Sequence, residues 1–194
     1  CTATSLLNGT TYYFKVFTKD SNGNYSSGAT ASGTPVTPNV NATQVTVNSY
    51  RFINDDNSES SASSNSSENS TISSSYVTGD KTRLRFVVSN TAASLNVKKY
   101  QIEYSSGACS TWTAIPRVSD VTNQDFRMDT SSYVSDSSLT THRADMTVPG
   151  GKTFVPGRMM TFSSTTPNIV LNTNQYTELE YVLRSMSNIT PNVA

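Results

Sequence analysis

His142 is the only histidine in the 194-residue chain, and that alone narrows the available chemistry. A zinc site built from two or three imidazoles cannot form within one copy. A Ser-His-Asp hydrolase would have to pass its proton through His142, but no Gly-x-Ser-x-Gly turn presents a serine nucleophile. Glu178 and Glu180 stand at i and i+2. On a strand that puts two carboxylates on one face, as glycoside hydrolysis would need. Both alternate with Leu179 and Tyr181, so the plainer expectation is the polar outer face of an amphipathic strand.

Asp20, Asn22 and Asn24 alternate around Gly23 as the opening of a calcium-binding loop does, yet the closing bidentate glutamate is absent, which favours an ordinary turn. Asp55, Asp56 and Glu59 offer the hard oxygen ligands that Ca²⁺ takes. Their surroundings are so polar that a solvated loop is the leading expectation. Trp112 and the tyrosines could stack on sugar rings, but a tryptophan in a β-sandwich is more commonly a core residue. These residues together lead us to expect no catalytic group, no metal site and no cofactor.

Composition narrows the classes further. Lys and Arg number 14 and so do Asp and Glu, for a formal net charge of zero. No basic footprint for nucleic acid results, and no polybasic segment for a membrane surface. No apolar run approaches the length that spans a bilayer. Ser, Thr and Asn make up roughly 40% of the residues, far above ordinary usage. Such a composition suits long solvated β-surfaces and is typical of secreted and cell-surface proteins. Six Asn-x-Ser/Thr acceptors occur, at Asn8, Asn24, Asn41, Asn65, Asn69 and Asn188. Several would arise by chance in so Ser- and Thr-rich a chain.

The two cysteines, Cys1 and Cys109, suit an oxidising compartment if they pair. Nothing in the sequence brings them together. Cys1 could instead be the acylated first residue of a lipoprotein, although it falls inside a region that reads as domain. The preferred expectation is that each finds its partner outside this chain.

The elements that must position these residues are strands. Asn8-Gly9 supplies a tight turn, and from Tyr12 the residues alternate, with Tyr12, Phe14 and Val16 on one face and Tyr13, Lys15 and Phe17 on the other. A turn over 19–26 and a strand over Gly28–Gly33 complete a hairpin that ends at Thr34-Pro35. Leu6, Gly9, Thr10 and Tyr12 stand at the spacing of a tyrosine corner, in which a tyrosine hydroxyl closes the turn entering a late sandwich strand. Residues 1–35 thus resemble the C-terminal half of a fibronectin type III domain. The resemblance implies that the early strands of that sandwich come from elsewhere. Residues 36–41, with Pro38 and no periodicity, read as a linker.

Residues 42–194 read as β throughout. Gln44–Phe52, Arg83–Val88, Lys98–Tyr104, a short strand near Trp112 and Ile115, and Tyr176–Arg184 alternate apolar with polar side chains. Leu84, Phe86 and Val88 are expected inward, and Arg83, Arg85 and Val87 outward. Residues 54–75 are almost entirely Asp, Asn, Ser and Glu. They carry too few apolar groups to bury, and read either as a disordered loop or as a long ordered excursion. The fold class expected is all-β, an immunoglobulin-like or fibronectin-like β-sandwich with an incomplete N-terminal half-domain.

The succession Tyr50-Arg51-Phe52-Ile53-Asn54-Asp55-Asp56, Arg83-Leu84-Arg85-Phe86, Ile102-Glu103-Tyr104, Trp112-Thr113-Ala114-Ile115 and Thr177-Glu178-Leu179-Glu180-Tyr181 is similar to an uncharacterised β-sandwich module of very large bacterial surface proteins. That module has no activity to carry over. Its pattern implies one more aromatic strand beyond Ala194.

A chain open at both ends is expected to be completed by its neighbours. The expected function is a structural subunit of an extracellular bacterial filament or surface fibre, not an enzyme, self-associating into a homopolymer by strand or domain complementation between neighbouring subunits. The expected interface residues are Tyr12, Phe14 and Val16 at one junction and Leu179, Tyr181 and Leu183 at the other. Other surface proteins or glycans are further partner classes, without nucleic acid or membrane insertion. The alternative is a fragment of a large multi-domain adhesin or carbohydrate-binding protein.

Overall fold

A computed structural model describes residues 7, 10–16, 19, 21, 23–34, 45–72, 77–92, 96–105, 109–120 and 124–186, with the side chains of Phe14 and Val16 excepted. The chain divides into two compact units, Cys1–Ala42 and Thr43–Ala194. Among the described residues no helix occurs.

In the first unit β1 (Tyr12–Val16) pairs antiparallel with β2 (Ala29–Gly33), from Tyr12 opposite Gly33 to Val16 opposite Ala29. The Tyr12 hydroxyl accepts the Leu7 backbone N–H at 2.9 Å, which fixes the turn that enters β1. Between the strands Lys19 bridges to Tyr25 and lays its ammonium 5.4 Å from the Tyr25 ring centroid. Gly23 turns the chain at φ 92°, a conformation that a side chain would strain.

The second unit is built on three long strands. β3 (Val45–Asn54), β4 (Lys81–Asn90) and β12 (Gln175–Ser185) form an antiparallel sheet with β4 in the middle. The other edge of β12 is paired by three short strands: β8 (Phe126–Met128), β9 (Thr153–Phe154) and β10 (Met159–Met160). β12 is therefore bonded along both edges, and nearly all its residues are buried. Two further pairs, β5 (Asn96–Lys98) with β11 (Ile169–Leu171) and β6 (Glu103–Tyr104) with β7 (Thr113–Ala114), contribute core residues to the apolar face of this sheet.

That face carries the main core. Val88, Leu179, Tyr181 and Leu183 from the sheet pack with Ile102, Ile115, Met128, Met160, Ile169 and Leu171. A bulge in β3 between Val47 and Ser49 serves this packing. Simple alternation would put Val47 and Tyr50 on opposite faces. The extra residue resets the phase, so that Val47 lies opposite Val88, Tyr50 opposite Phe86 and Phe52 opposite Leu84. All three then share the apolar face.

The opposite face departs from expectation. Arg83, Arg85 and Val87, expected outward, are fully buried, and so are Glu178 and Glu180. The reason is a cover made of two segments. The Ser- and Asn-rich excursion after β3 folds back over the sheet, and so does the chain between β8 and β10. Neither supplies much apolar surface, so the polar groups of the sheet are matched one by one instead. This is the ordered form of the excursion, and it is pinned by charge.

The excursion also occupies part of the outer edge of β3. Asn54 N–H donates to Ser63 O (2.9 Å), Asn65 N–H to Phe52 O (2.9 Å) and Asn69 N–H to Tyr50 O (2.8 Å). The Asn69 side-chain oxygen accepts the Tyr50 N–H at 3.1 Å, with its own backbone at φ 60°, where asparagine is tolerated better than most residues. An edge that would otherwise template pairing is thereby blunted from Tyr50 to Asn54. Among the described residues, no backbone bond reaches the outer edge of Val45–Asn48.

Candidate functional site

Two places gather functional side chains, one on each face of the sheet. On the polar face the strands set a row of cross-strand neighbours in which Arg51 lies opposite Arg85 and Arg85 opposite Glu180, with Arg83 one step along. The Arg85 guanidinium reaches Glu180 Oε2 at 2.9 Å, Glu59 Oε1 at 2.5 Å and Thr141 O at 2.7 Å. Its Nε lies 2.7 Å from Glu178 Oε2, close enough for an ion pair but without the angle of a hydrogen bond. Burial works against the charge on Arg85, yet Glu180 and Glu178 hold its pKa above the ordinary value. Arg83 contacts Glu180 Oε1 and Asp55 Oδ1, each at 3.3 Å, and donates to Asn57 O at 2.5 Å. Burial pushes the Glu180 carboxyl up, with Arg85 and Arg83 pulling the other way.

Arg143 closes the cover. It donates to Glu59 O (3.0 Å) and Ala62 O (2.6 Å), and its Nε meets Asp145 Oδ1 at 2.6 Å. Beside it, His142 Nδ1 sits 2.7 Å from Glu178 Oε1 and 3.3 Å from the Tyr176 hydroxyl, with Phe154 and Tyr176 flanking the ring.

This arrangement disposes of several sequence expectations. Glu178 and Glu180 are not the outer face of a strand. They are sealed beneath the cover and committed to guanidinium groups, so neither reaches solvent. Asp55, Asp56 and Glu59 are not one solvated cluster. Asp55 binds Arg83 and the Ser131 hydroxyl, Asp56 binds Ser63, and Glu59 binds Arg85 and the Thr141 N–H. Each carboxylate points at a different partner, and among the described residues no group of three acidic, His or Cys side chains could hold a metal. His142 has Glu178 and Tyr176 for polar neighbours rather than a serine. The Asp20–Asn22–Asn24 loop falls partly outside the described residues.

The polar face predicts an acid response. Burial raises the Asp145 pKa, but bonds from Arg143 and Ser64 outweigh that and hold it below the ordinary carboxylate value. A carboxylate with a depressed folded pKa stabilises the fold above the unfolded value and loses that contribution as pH falls through the folded one. The Glu180 shift has the opposite sign, so its share shrinks as pH rises above the ordinary range. Thermal melts are expected to hold level near pH 6 and to fall below about pH 4. Asp145→Asn should lower the melting temperature at pH 6 and make the acid limb shallower.

On the apolar face the cover is incomplete. Two cavities, of about 290 and about 310 Å³, adjoin across Phe86, Ile102 and Glu103, which line both, and make up the two halves of an apolar cleft. The first is lined by Val47, Tyr100, Trp112 and Tyr181, the second by Phe52, Leu84, Tyr104 and Leu183. Trp112 is not a core residue. It flanks β7 with 55% of its surface exposed, at the mouth of the cleft. Tyr104 packs edge-on to Phe126 and donates its hydroxyl to Gln124 at 2.5 Å. Burial pushes the Tyr181 hydroxyl pKa up, and that hydroxyl donates to Tyr100 O at 3.3 Å.

No family model, curated protein or solved structure matches this chain.

Of the expected interface residues, Leu179, Tyr181 and Leu183 are buried in the core of their own unit and meet the cleft only as its floor. Tyr12 is half-buried, its hydroxyl held by Leu7. The side chains of Phe14 and Val16 lie outside the described residues. Of the cysteines, Cys109 is exposed and unpaired, with φ 53°, and Cys1 lies outside the described residues. Among the glycan acceptors, the Asn65 amide nitrogen donates to Asn54 Oδ1 at 3.0 Å, which leaves Asn65 poorly placed for modification.

The Arg83–Arg85–Glu178–Glu180 network was missed at the sequence level, although a signal was present. β4 and β12 carry opposite charges at i and i+2, the pattern expected of strands that neutralise one another side by side.

Proposed function

We propose that this chain is a structural, non-catalytic subunit of an extracellular bacterial filament or surface fibre, its modules completed by strand or domain complementation between neighbouring copies. The observation that carries this reading is the state of the first unit. β1 and β2 form a two-stranded sheet in which every residue of β2 is exposed and Tyr13 keeps 83% of its surface in solvent. A lone hairpin is marginal in water, and gains stability once further strands cover one face. The Tyr12–Leu7 bond supports the likeness to the late strands of a fibronectin type III domain, and strands packed on this hairpin by a neighbouring copy would build a sandwich around it. A head-to-tail contact of that kind propagates unless its rotation closes a ring.

Light scattering and electron microscopy of the chain test the reading. It predicts concentration-dependent, elongated assemblies, and a folded monomer at every concentration would sink it. Phe14→Asp places a charge in β1 and is expected to abolish assembly while leaving the melting of the second unit unchanged.

A second reading, a module of a large adhesin or carbohydrate-binding protein, is favoured by the exposed Trp112 beside Gln101 and Glu103. Saturable quenching of its fluorescence by oligosaccharides would support it.

A further inference from the structure

We propose that the cleft on the apolar face of the second unit receives β1 of a second copy of this chain, as an extended strand that inserts bulky side chains at i and i+4. The inference rests on the assembly reading above and names its socket. Three observations converge on it.

The first is spacing. The two halves of the cleft lie against Val47 and Phe52, which stand opposite Val88 and Leu84 on β4. Four residues of strand separate Leu84 from Val88, roughly 13 Å at the rise of an extended chain. An incoming strand with the same rise fills both halves with residues four apart.

The second is the backbone around the cleft. Among the described residues, the outer edge of β3 is unpaired over Val45–Asn48, and β7 pairs only with β6. Open edges beside an apolar trough suit a peptide strand, whose main-chain groups need partners, better than a compact ligand.

The third is the donor. The sequence of β1 carries Tyr12 and Val16 at i and i+4, the separation that the cleft asks for. Among the described residues of its unit β1 pairs only with the exposed β2, so it gains from cover. Docking β1 of one copy into the cleft of the next makes a heterologous contact, which repeats along a fibre.

Trp112 is the only tryptophan and lines the cleft, so its emission reports occupancy. The probe is a synthetic peptide of residues 10–18 added to the full chain, diluted until light scattering reports monomer. A saturable blue shift of Trp112 emission is expected. It should be lost with a peptide carrying serine at positions 12, 13, 16 and 17, and lost in Val47→Lys, whose thermal melt should match the parent. At higher concentration Val47→Lys should also fail to assemble. An unchanged emission at millimolar peptide overturns the socket. So does a shift produced by soluble oligosaccharides and not by peptide, which would give the cleft to sugar. Assembly that persists in Val47→Lys overturns the socket and leaves the assembly reading standing. Peptide binding by a chain that stays monomeric at every concentration overturns the assembly reading and the copy-to-copy source together.

Discussion

Arg85→Ala is expected to cost about 3–5 kcal/mol of unfolding free energy, the loss typical when one partner of a buried ion pair is removed. The reason lies in what stays behind. Arg85 is fully buried and serves Glu59, Glu178, Glu180 and the Thr141 carbonyl at once. Alanine leaves three carboxylates without the guanidinium that neutralises them. Arg85→Lys keeps a charge but cannot span several acceptors in a planar fork, so partial recovery is expected. Urea denaturation followed by circular dichroism measures both variants. The midpoint should fall with little change in slope, since the surface exposed on unfolding is nearly the same. A loss under about 1 kcal/mol, the range of exposed pairs, would mean that water enters beneath the cover.

Gly157→Ala is expected to be nearly as damaging, at about 3 kcal/mol, by a wholly different route. The Gly157 N–H donates to Thr140 Oγ1 at 2.8 Å, and that hydroxyl donates to Glu178 O at 2.7 Å. This relay presses the covering segment directly onto β12. A methyl group at Gly157 would stand 2.0 Å from Glu178 O and 2.5 Å from Thr177 Oγ1. The backbone must therefore part, and the relay breaks with it. Gly150→Ala serves as the control, because a methyl there meets nothing within 4 Å. Its effect is expected within about 0.5 kcal/mol. Equal melting temperatures for the two variants would show that the segment over β12 can shift at no cost.

The long strands were legible and their environment was only half so; Lys98–Tyr104, expected as one strand, holds only the end of β5 and the short β6, and β8 to β11 are too short to show a period. Alternation located β1 and β4 and most of β3, and β12 began and ended within two residues of its expected span. The apolar sides of β4 and β12 were assigned correctly, because burying Leu84, Val88, Leu179 or Tyr181 rewards the fold whatever covers them, whereas the bulge that resets β3 left no mark in its alternation. The other side was not. Arginine and glutamate at alternate positions ordinarily mean solvent. What reversed that meaning was a partner segment whose composition reads as disordered. Residues 54–72 bury little of their own beyond Ala62, and order instead through Asn54, Asp55, Asn57 and Glu59 on the arginines of β4. Hydropathy does not register that kind of ordering. Trp112 fails for the converse reason: an aromatic residue beside a short strand reads as core unless the gap in the opposing layer is known.

The order of the three long strands also governs how the second unit answers a pull. β3 and β12 flank β4 and both run antiparallel to it, so they run parallel to each other. A force applied at Val45 and at Ser185 therefore drags β3 and β12 in opposite directions along β4. The hydrogen bonds of both ladders lie across that force, and they are loaded in shear, all at once, instead of opening one by one like a zip. The arginines and glutamates clamped between β4 and β12 must slide past one another before either ladder gives way. A fibre strung from such units would resist extension through its sheet, and its lifetime under tension would be set by the rate of that single rupture.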